Sequence, residues 1–467
     1  MGPRFVNIDR DTPLLLPPNL RDWVSPDHLA HFVIDAVEAL DLRTAKVNHR
    51  GTGDEQFPPA MMLALLIYSY ATGTFGSRRI ERSTFDSVPV RMITADTHPD
   101  HDTICAFRRE NKALLSTSFV QVLQLAQRVK LLKVGQITVA ADGTKVLAHA
   151  SKHAAVSYER AGEMIAELEL EVQQLLAKAE AADATPLEDG LEIPDEITRR
   201  QERKAALEKA RAEIEARAHA RYAAEWAEHE KKLAERQARQ ERGEKVGGKP
   251  SPAPSSEAQP TEQYNFTDPE SRIMKAGSGS HFEQAYNAQA AAEVESRLIV
   301  GARVSPAPND KEQLVPTGQG IPAEAGSVAA VLVDSGFHSE NAVHAVEHTA
   351  SGAPSGTVVY AAVEKTGHHR SVADLEKKPE AEPPTTGASG TEIMRHRLKT
   401  RAGRTLYKLR QQTIEPIFGI IKAALGFRQF RLRGLAKVSL EWMLVCLAYN
   451  VRRLHVLGAG PKLAGLS

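Results

Sequence analysis

Three acidic residues, far apart in the chain, have the residue types and settings for phosphodiester chemistry. Asp142 stands in ITVAADGTKVLAHA, where β-branched residues alternate and then meet Asp-Gly. Asp334 stops the apolar run SVAAVLVD, and Glu415 lies in the amphipathic stretch YKLRQQTIEPIFGIIK. Carboxylate oxygens suit Mg²⁺, which binds a few of them and keeps other positions for water and phosphate. Two such ions about 3.5–4 Å apart stabilise the attacking and leaving oxygens of an in-line displacement. Each acid alone also has a plain structural reading, since Asp-Gly is a turn signal and a helical Glu is commonly a surface charge.

The elements that must position these acids follow from periodicity. From Pro26 to about Lys130 apolar residues recur at helical spacing, as in Leu29, Phe32, Val33, Ala36, Val37 and Leu40. Ser25 before Pro26 is expected to cap the first helix. Pro58 and Pro59 open an apolar helix, Met61 to Tyr70, that Gly73 ends. FGSRRIERSTF reads as a short helix carrying Arg78, Arg79 and Arg82, and Asp102 is expected to cap one long helix over TICAFRRENKALLSTSFVQVLQLAQ. Residues 1–133 thus form an all-helical N-terminal domain. At Gln136 the period changes to that of a strand ending close to Asp142. Helical period returns from Tyr158 to Leu176, with Ile165, Leu168, Val172 and Leu175 on one seam, and again from Ile197 to about Glu244. The breakers in ATPLEDGLEIPDE make a long antiparallel hairpin of these two, and GGKPSPAPSSEAQPTEQ reads as a linker.

Further strands are expected at AYNAQAAAEV, RLIVGARVS, SVAAVLVD and TVVYAAV, then a polar excursion from about Lys365 to Thr391. Two helical patterns, Leu406 to Leu425 and Ala436 to Leu454, close the chain. The order strand Asp, several strands, strand Asp, late helical Glu is what a ribonuclease-H-like fold needs to gather three carboxylates at one end of its sheet. The expected class is therefore α/β: a ribonuclease-H-like core in segments 134–156, 264–364 and 401–467. It is interrupted by the hairpin and linker of 157–263 and the loop of 365–400.

Composition narrows the function. The chain has 467 residues, enough for two or three structural units. Lys+Arg and Asp+Glu are both 59, so net charge gives no argument for a nucleic-acid partner and local charge must carry it. Arg395, Arg397, Lys399, Arg401, Arg404, Lys408 and Arg410 precede Glu415, and Arg428, Arg431 and Arg433 follow it. Such clustering suits a groove for the DNA backbone, where phosphate neutralisation dominates affinity. Arg78, Arg79 and Arg82, after a glycine break, have the setting of a helix-turn-helix reading element. Two cysteines, Cys105 and Cys446, exclude a disulfide framework or thiolate zinc site. No apolar run is long enough for a membrane span and no signal peptide is visible, so a cytoplasmic protein is expected. The histidines lack metal-ligand spacing; only His338, shortly after Asp334, is expected near the site, and His149 is not.

The sequence resembles the bacterial insertion-sequence transposases of the DDE type, in the group with a Tyr-Arg-Glu-Lys C-terminal signature. Tyr407, Arg410, Glu415 and Lys422 stand at the signature positions, with six residues between Glu415 and Lys422. The four residues between Arg410 and Glu415 are one more than in the best-known version, within a Glu-Pro-x-Phe-Gly variant. VAADGTKVLAHAS resembles the first-aspartate strand and VLVDSGFHSENAV the second-aspartate turn. PPAMMLALLIYSYATGTFGSRRIER and HPDHDTICAFRREN resemble the family's helical N-terminal domain. The resemblance runs from about Asp22 to Leu454 and is least specific over the hairpin.

The resemblance implies a DNA transposase that uses Mg²⁺, with Mn²⁺ as a substitute, bound by Asp142, Asp334 and Glu415. Water would cut a phosphodiester at the element's ends, and the freed 3′-hydroxyl would attack target DNA. Lys422, two helical turns from Glu415, would meet a phosphate, and Tyr407 and Arg410 the DNA backbone or a flanking base. The partners implied are double-stranded DNA and a second copy of the chain, as a homodimer on DNA. Two other readings use the same features: a DNA-binding protein that has lost catalysis, and an interaction protein organised by the coiled hairpin.

Overall fold

A computed structural model describes residues 19–47, 56–184, 193–241, 252–275, 281–363, 382–384 and 387–460. Most of the loop expected over 365–400 lies outside these residues, and its last part, Gly390–Lys399, is instead a helix opened by a Ser389–Glu392 capping box. The chain divides into two units, Met1–Val146 with Asn287–Ser467, and Leu147–Tyr286.

In the first unit, the described residues before the sheet form six α-helices: α1 (Leu29–Glu38), α2 (Pro59–Ala71), α3 (Ser77–Asp86), α4 (Val88–Ile93), α5 (His101–Glu110) and α6 (Lys112–Arg128). Every residue of α2 from Met62 to Ala71 is buried, which its unbroken apolar character requires. After α2, Gly73 has φ +84°, and a Cβ there would stand 2.7 Å from the Leu425 carbonyl oxygen. Only glycine allows both.

Two helix boundaries differ from expectation. Helix α1 begins at Leu29 rather than Pro26, because Ser25 to His28 closes a turn through the His28 N–H and the Ser25 carbonyl. His28 then caps the helix by accepting from the Ala30 N–H. Asp100, not Asp102, caps α5, accepting from the Thr103 N–H at 2.6 Å. The single long helix expected beyond it is two, broken at Asn111. The Asn111 amide donates back to the Phe107 carbonyl and its oxygen accepts from the Lys46 N–H, competing with helical continuation.

The sheet of this unit contains β1 (Gln136–Leu147), β5 (Phe282–Glu293), β6 (Ile299–Ser305), β7 (Ser327–Val333) and β8 (Val358–Ala361). Its order is β5-β1-β7-β8, with β6 on β5. β1 runs parallel to β7, and β7 parallel to β8; β5 and β6 are antiparallel. The helices α9 (Leu314–Gln319), α10 (Glu340–Glu347), α11 (Gly390–Lys399), α12 (Arg401–Gly419) and α13 (Leu435–Val456) complete the unit. Helix α13 packs against α2, α6 and β6, α12 against β7, and α10 against β8. The result is a mixed α/β architecture with a helical N-terminal region.

In the second unit, α7 (Tyr158–Ala184) and α8 (Ile193–Glu241) pair along their length. Tyr158 bonds Glu215, Lys204 pairs with Glu169 and Arg200 with Glu171, so the helices run antiparallel. Ala161, Leu168, Leu207, Ala210 and Ile214 are buried between them, joined by Val156 and Tyr264 from the short pair β2 (Ala155–Ser157) and β3 (Gln263–Asn265). Here β4 (Arg272–Lys275) pairs antiparallel with Phe282–Ala285, the start of β5. Among the described residues no helix is long and apolar enough to cross a membrane.

Candidate active site

The parallel register of β1 and β7 matches Ala140 with Leu332, so two residues further along stand Asp142 and Asp334. Strand β1 does not end at Asp142 as expected but continues to Leu147. Gly143 serves close approach instead of a turn. A Cβ there would lie within 3.0 Å of atoms of Gln289, Asp310 and Asn287, which leaves room only for hydrogen. Asp334 follows the last residue of β7 and opens a 3₁₀ turn, Ser335–Phe337, with its carboxylate accepting from the Gly336 N–H at 2.8 Å.

Helix α12 brings the third acid. Its inner face buries Gly403, Arg410, Thr413, Ile414, Ile417 and Phe418. Arg410, 10% exposed in its side chain, donates to Asp142 at 3.1 Å and to Glu415 at 3.3 Å, bridging two acids 273 positions apart. Glu415 itself is about half exposed. The outer face of α12 presents Arg401, Arg404 and Lys408, all exposed, on the approach to Glu415.

Burial, and then the negative charge of Asp334, push the Asp142 carboxyl up to about 7, although Arg410 and the Gly143 N–H pull it down. A folded-state acid that holds its proton more tightly than the unfolded chain makes stability fall as pH rises between the two values. Unfolding of the metal-free protein followed from about pH 4 to pH 7 should show this loss, and Asp142→Asn should flatten that segment. Unchanged pH dependence in the variant would place the titration elsewhere.

The Tyr407 hydroxyl donates to the Val333 carbonyl at 3.0 Å, bracing the strand end that carries Asp334. Burial and Asp334 raise its phenol, while Arg410 opposes. Lys422 does not sit on an unbroken α-helix two turns beyond Glu415, because the helix widens into a π-turn over Ile420–Ala424. Its ammonium donates to the Lys145 carbonyl at 2.7 Å, and burial, Arg428 and Lys145 lower its pKa. His338 closes the turn after Asp334, and burial disfavours its charged form. Arg78, Arg79 and Arg82 are exposed on α3, whose buried side holds Ile80 and Thr84.

Four side chains close to the Asp142–Gly143 pair carry no local signal of their meeting: Asn287, Gln289, Asp310 and Lys145. Asn287 and Gln289, fully buried on β5, both donate to Asp310, at 2.7 and 2.6 Å. Only their shared strand face has a signal, since two amides one residue apart in the otherwise apolar AYNAQAAAE mark one face of a strand. Lys145 is also here, with a buried ammonium that finds no partner among the described residues.

Residues 18–110 match the family described as Transposase domain (DUF772), and residues 381–455 match the family described as Transposase DDE domain. Both matches indicate an insertion-sequence DDE transposase. The first match covers α1 to α5, and the second spans α11, α12 and most of α13, including Arg410 and Glu415. No curated protein and no solved structure matches this transposase. Its family implies a DNA-cutting enzyme, and such domains generally use divalent metal ions.

Among the described residues, no group of three His, Cys, Asp or Glu side chains stands arranged to hold a metal ion. Arg410 occupies the space between Asp142 and Glu415, pairing them with a guanidinium. The donor set nonetheless suits a hard dication. It offers carboxylate oxygens, with the unpartnered buried amide oxygens of Asn287 and Gln289 close by. Two adjacent acids that keep a proton on Asp142 up to about pH 7 are what a dication relieves.

Proposed function

We propose that this DDE transposase cuts DNA at the ends of its insertion sequence and joins the freed 3′-hydroxyls to target DNA, from a ribonuclease-H-like core. Asp142, Asp334 and Glu415 would hold Mg²⁺, or Mn²⁺ in its place. The adjacency of Asp142 and Asp334 on parallel strands, with Glu415 joined to Asp142 through Arg410, carries this reading. When bound, divalent ions supply charge stabilisation to the attacking and leaving oxygens of a phosphodiester displacement.

The protein's own groups prepare that site. Asp142 must lose its proton to bind a cation, which ties loading to pH values near and above 7. Arg410 orients Asp142 and Glu415 toward each other and neutralises them where a divalent cation would otherwise do so. Tyr407 fixes the strand end before Asp334 through the Val333 carbonyl. Arg401, Arg404 and Lys408 give double-stranded DNA a cationic track toward Glu415, and Lys422 a further cation beside β1. Arg78, Arg79 and Arg82 present an exposed cationic face for the element's terminal sequence. Pairing two DNA ends calls for two copies of the chain on DNA.

A supercoiled plasmid carrying the element's ends tests this function. Wild type with Mg²⁺ or Mn²⁺ should yield cuts with free 3′-hydroxyls, followed by joined products. Glu415→Ala should yield neither while still binding the ends. Binding without any cleavage by wild type would favour a DNA-binding protein that has lost catalysis.

A further inference from the structure

The polar cluster around Gly143 exceeds what three carboxylates require. Asn287 and Gln289 are both 0% exposed and both give their N–H to one oxygen, Oδ1, of the half-buried Asp310. The other carboxylate oxygen of Asp310 bonds to no described residue. Asn287 Oδ1 and Gln289 Oε1 are themselves buried without a partner, in a protein interior where polar atoms are nearly always paired. Asn287 Oδ1 is aimed at Gly143, 2.7 Å from where a Cβ would stand, and Asp310 Oδ1 converges on the same point. Asp310 is close enough for its charge to reach Asp142, and it is the leading acidic influence on Lys145, ahead of Asp142 and Asp334.

These groups form a surplus of oxygen donors and negative charge around Gly143, the residue that follows Asp142 in the strand. Two amides clamp Asp310 there by one oxygen, leaving the second free. Hard divalent cations take carboxylate and amide oxygens of this kind.

We propose that Asp310 is a fourth carboxylate of this centre, held by Asn287 and Gln289 so that its free oxygen acts with Asp142 and Asp334 in binding the divalent cation. Gly143 is glycine because a side chain would displace that clamp. The proposal rests on the divalent-cation reading of the site given above.

Mn²⁺ binding to the full-length chain, measured by titration calorimetry beside unfolding of the metal-free protein, tests it without relying on activity. Asp310→Asn keeps an oxygen for both amides and removes only charge. It should weaken Mn²⁺ affinity by about 10–100-fold, the scale for groups supporting a metal site, and leave metal-free unfolding unchanged. Asp310→Glu should recover part of the loss. Should Asp310→Asn fail to fold, Gln289→Ala loosens the clamp without changing charge and should also weaken Mn²⁺ binding. Unchanged Mn²⁺ affinity in these variants, while Asp142→Asn has lost binding, would overturn the role of Asp310 and leave the three-acid reading intact. Undiminished binding in Asp142→Asn as well would overturn both.

Discussion

Glu441→Ala should destabilise the protein by about 3–5 kcal/mol, the cost of removing one partner from a buried ionic network. Glu441 lies on α13, fully buried, and accepts from the Tyr70 hydroxyl at 3.2 Å. Tyr70 in turn accepts from the Arg108 guanidinium at 2.7 Å, and Arg108 is 3% exposed. The second carboxylate oxygen takes the N–H groups of Arg431 and Leu432, at 2.9 and 3.0 Å. One side chain therefore joins α2, α5 and α13 and shapes the segment bearing Arg431 and Arg433. Burial raises the Glu441 pKa, while Arg108 and the two N–H groups favour its ionised form. Removing the carboxylate strands a buried guanidinium and two backbone donors. Denaturant unfolding measures the loss; Glu441→Gln, which keeps an acceptor, should lose less. A change under about 1 kcal/mol in Glu441→Ala, the scale of an exposed ion pair, would contradict this account.

Gly143→Ala should be the second large effect, opposite in sign to the usual one. Replacing glycine by alanine where the backbone allows it commonly stabilises by about 0.4–1 kcal/mol. Here the new methyl would stand closer than 3.0 Å to atoms of Gln289, Asp310 and Asn287, and the two amide side chains are fully buried. Overpacking of this kind costs about 1–3 kcal/mol, and the displaced amides would release Asp310 as well. The expected result is reduced stability together with DNA cleavage reduced by more than the folded fraction explains. Equal or greater stability in the variant would show that the cluster is loosely packed.

Much of the architecture was legible because it depends on local period. The apolar run ending at Asp334 emerges as read, and the hairpin has its two helices, though α7 runs on past Leu176 to Ala184 and α8 starts at Ile193, inside the expected turn. Helix α13 begins one residue before, and ends two residues after, its expected bounds. The adjacency of Asp142 and Asp334 also follows from two strands that must pair. The boundaries at Pro26 and Asp102 are ambiguous in the sequence because several residues able to cap a helix stand within a few positions of one another. The choice fell to local bonds, from the His28 N–H to the Ser25 carbonyl and from the Thr103 N–H to Asp100, while Lys46 on Asn111 helps to break the long helix. Asp142-Gly143 reads as a turn in isolation, and only the side chains packed on Gly143 explain why the strand continues. Arg410 bridges Asp142 and Glu415 across 268 intervening steps of chain to the first of them, so no local pattern announces it. The π-turn that redirects Lys422 is equally invisible to spacing that assumes a regular helix.

The central claim is that Asp142 and Asp334 act together on DNA through a divalent ion. Its most direct test is the single-turnover rate at which Asp142→Asn and Asp334→Asn cut the element's ends with Mg²⁺, with end binding and unfolding measured on the same preparations. Each variant should bind the ends and remain folded, yet cut at least about 10²–10³-fold more slowly than wild type, as when a strong electrostatic contributor is removed from an active site. Cleavage at the wild-type rate by either folded variant would contradict the claim.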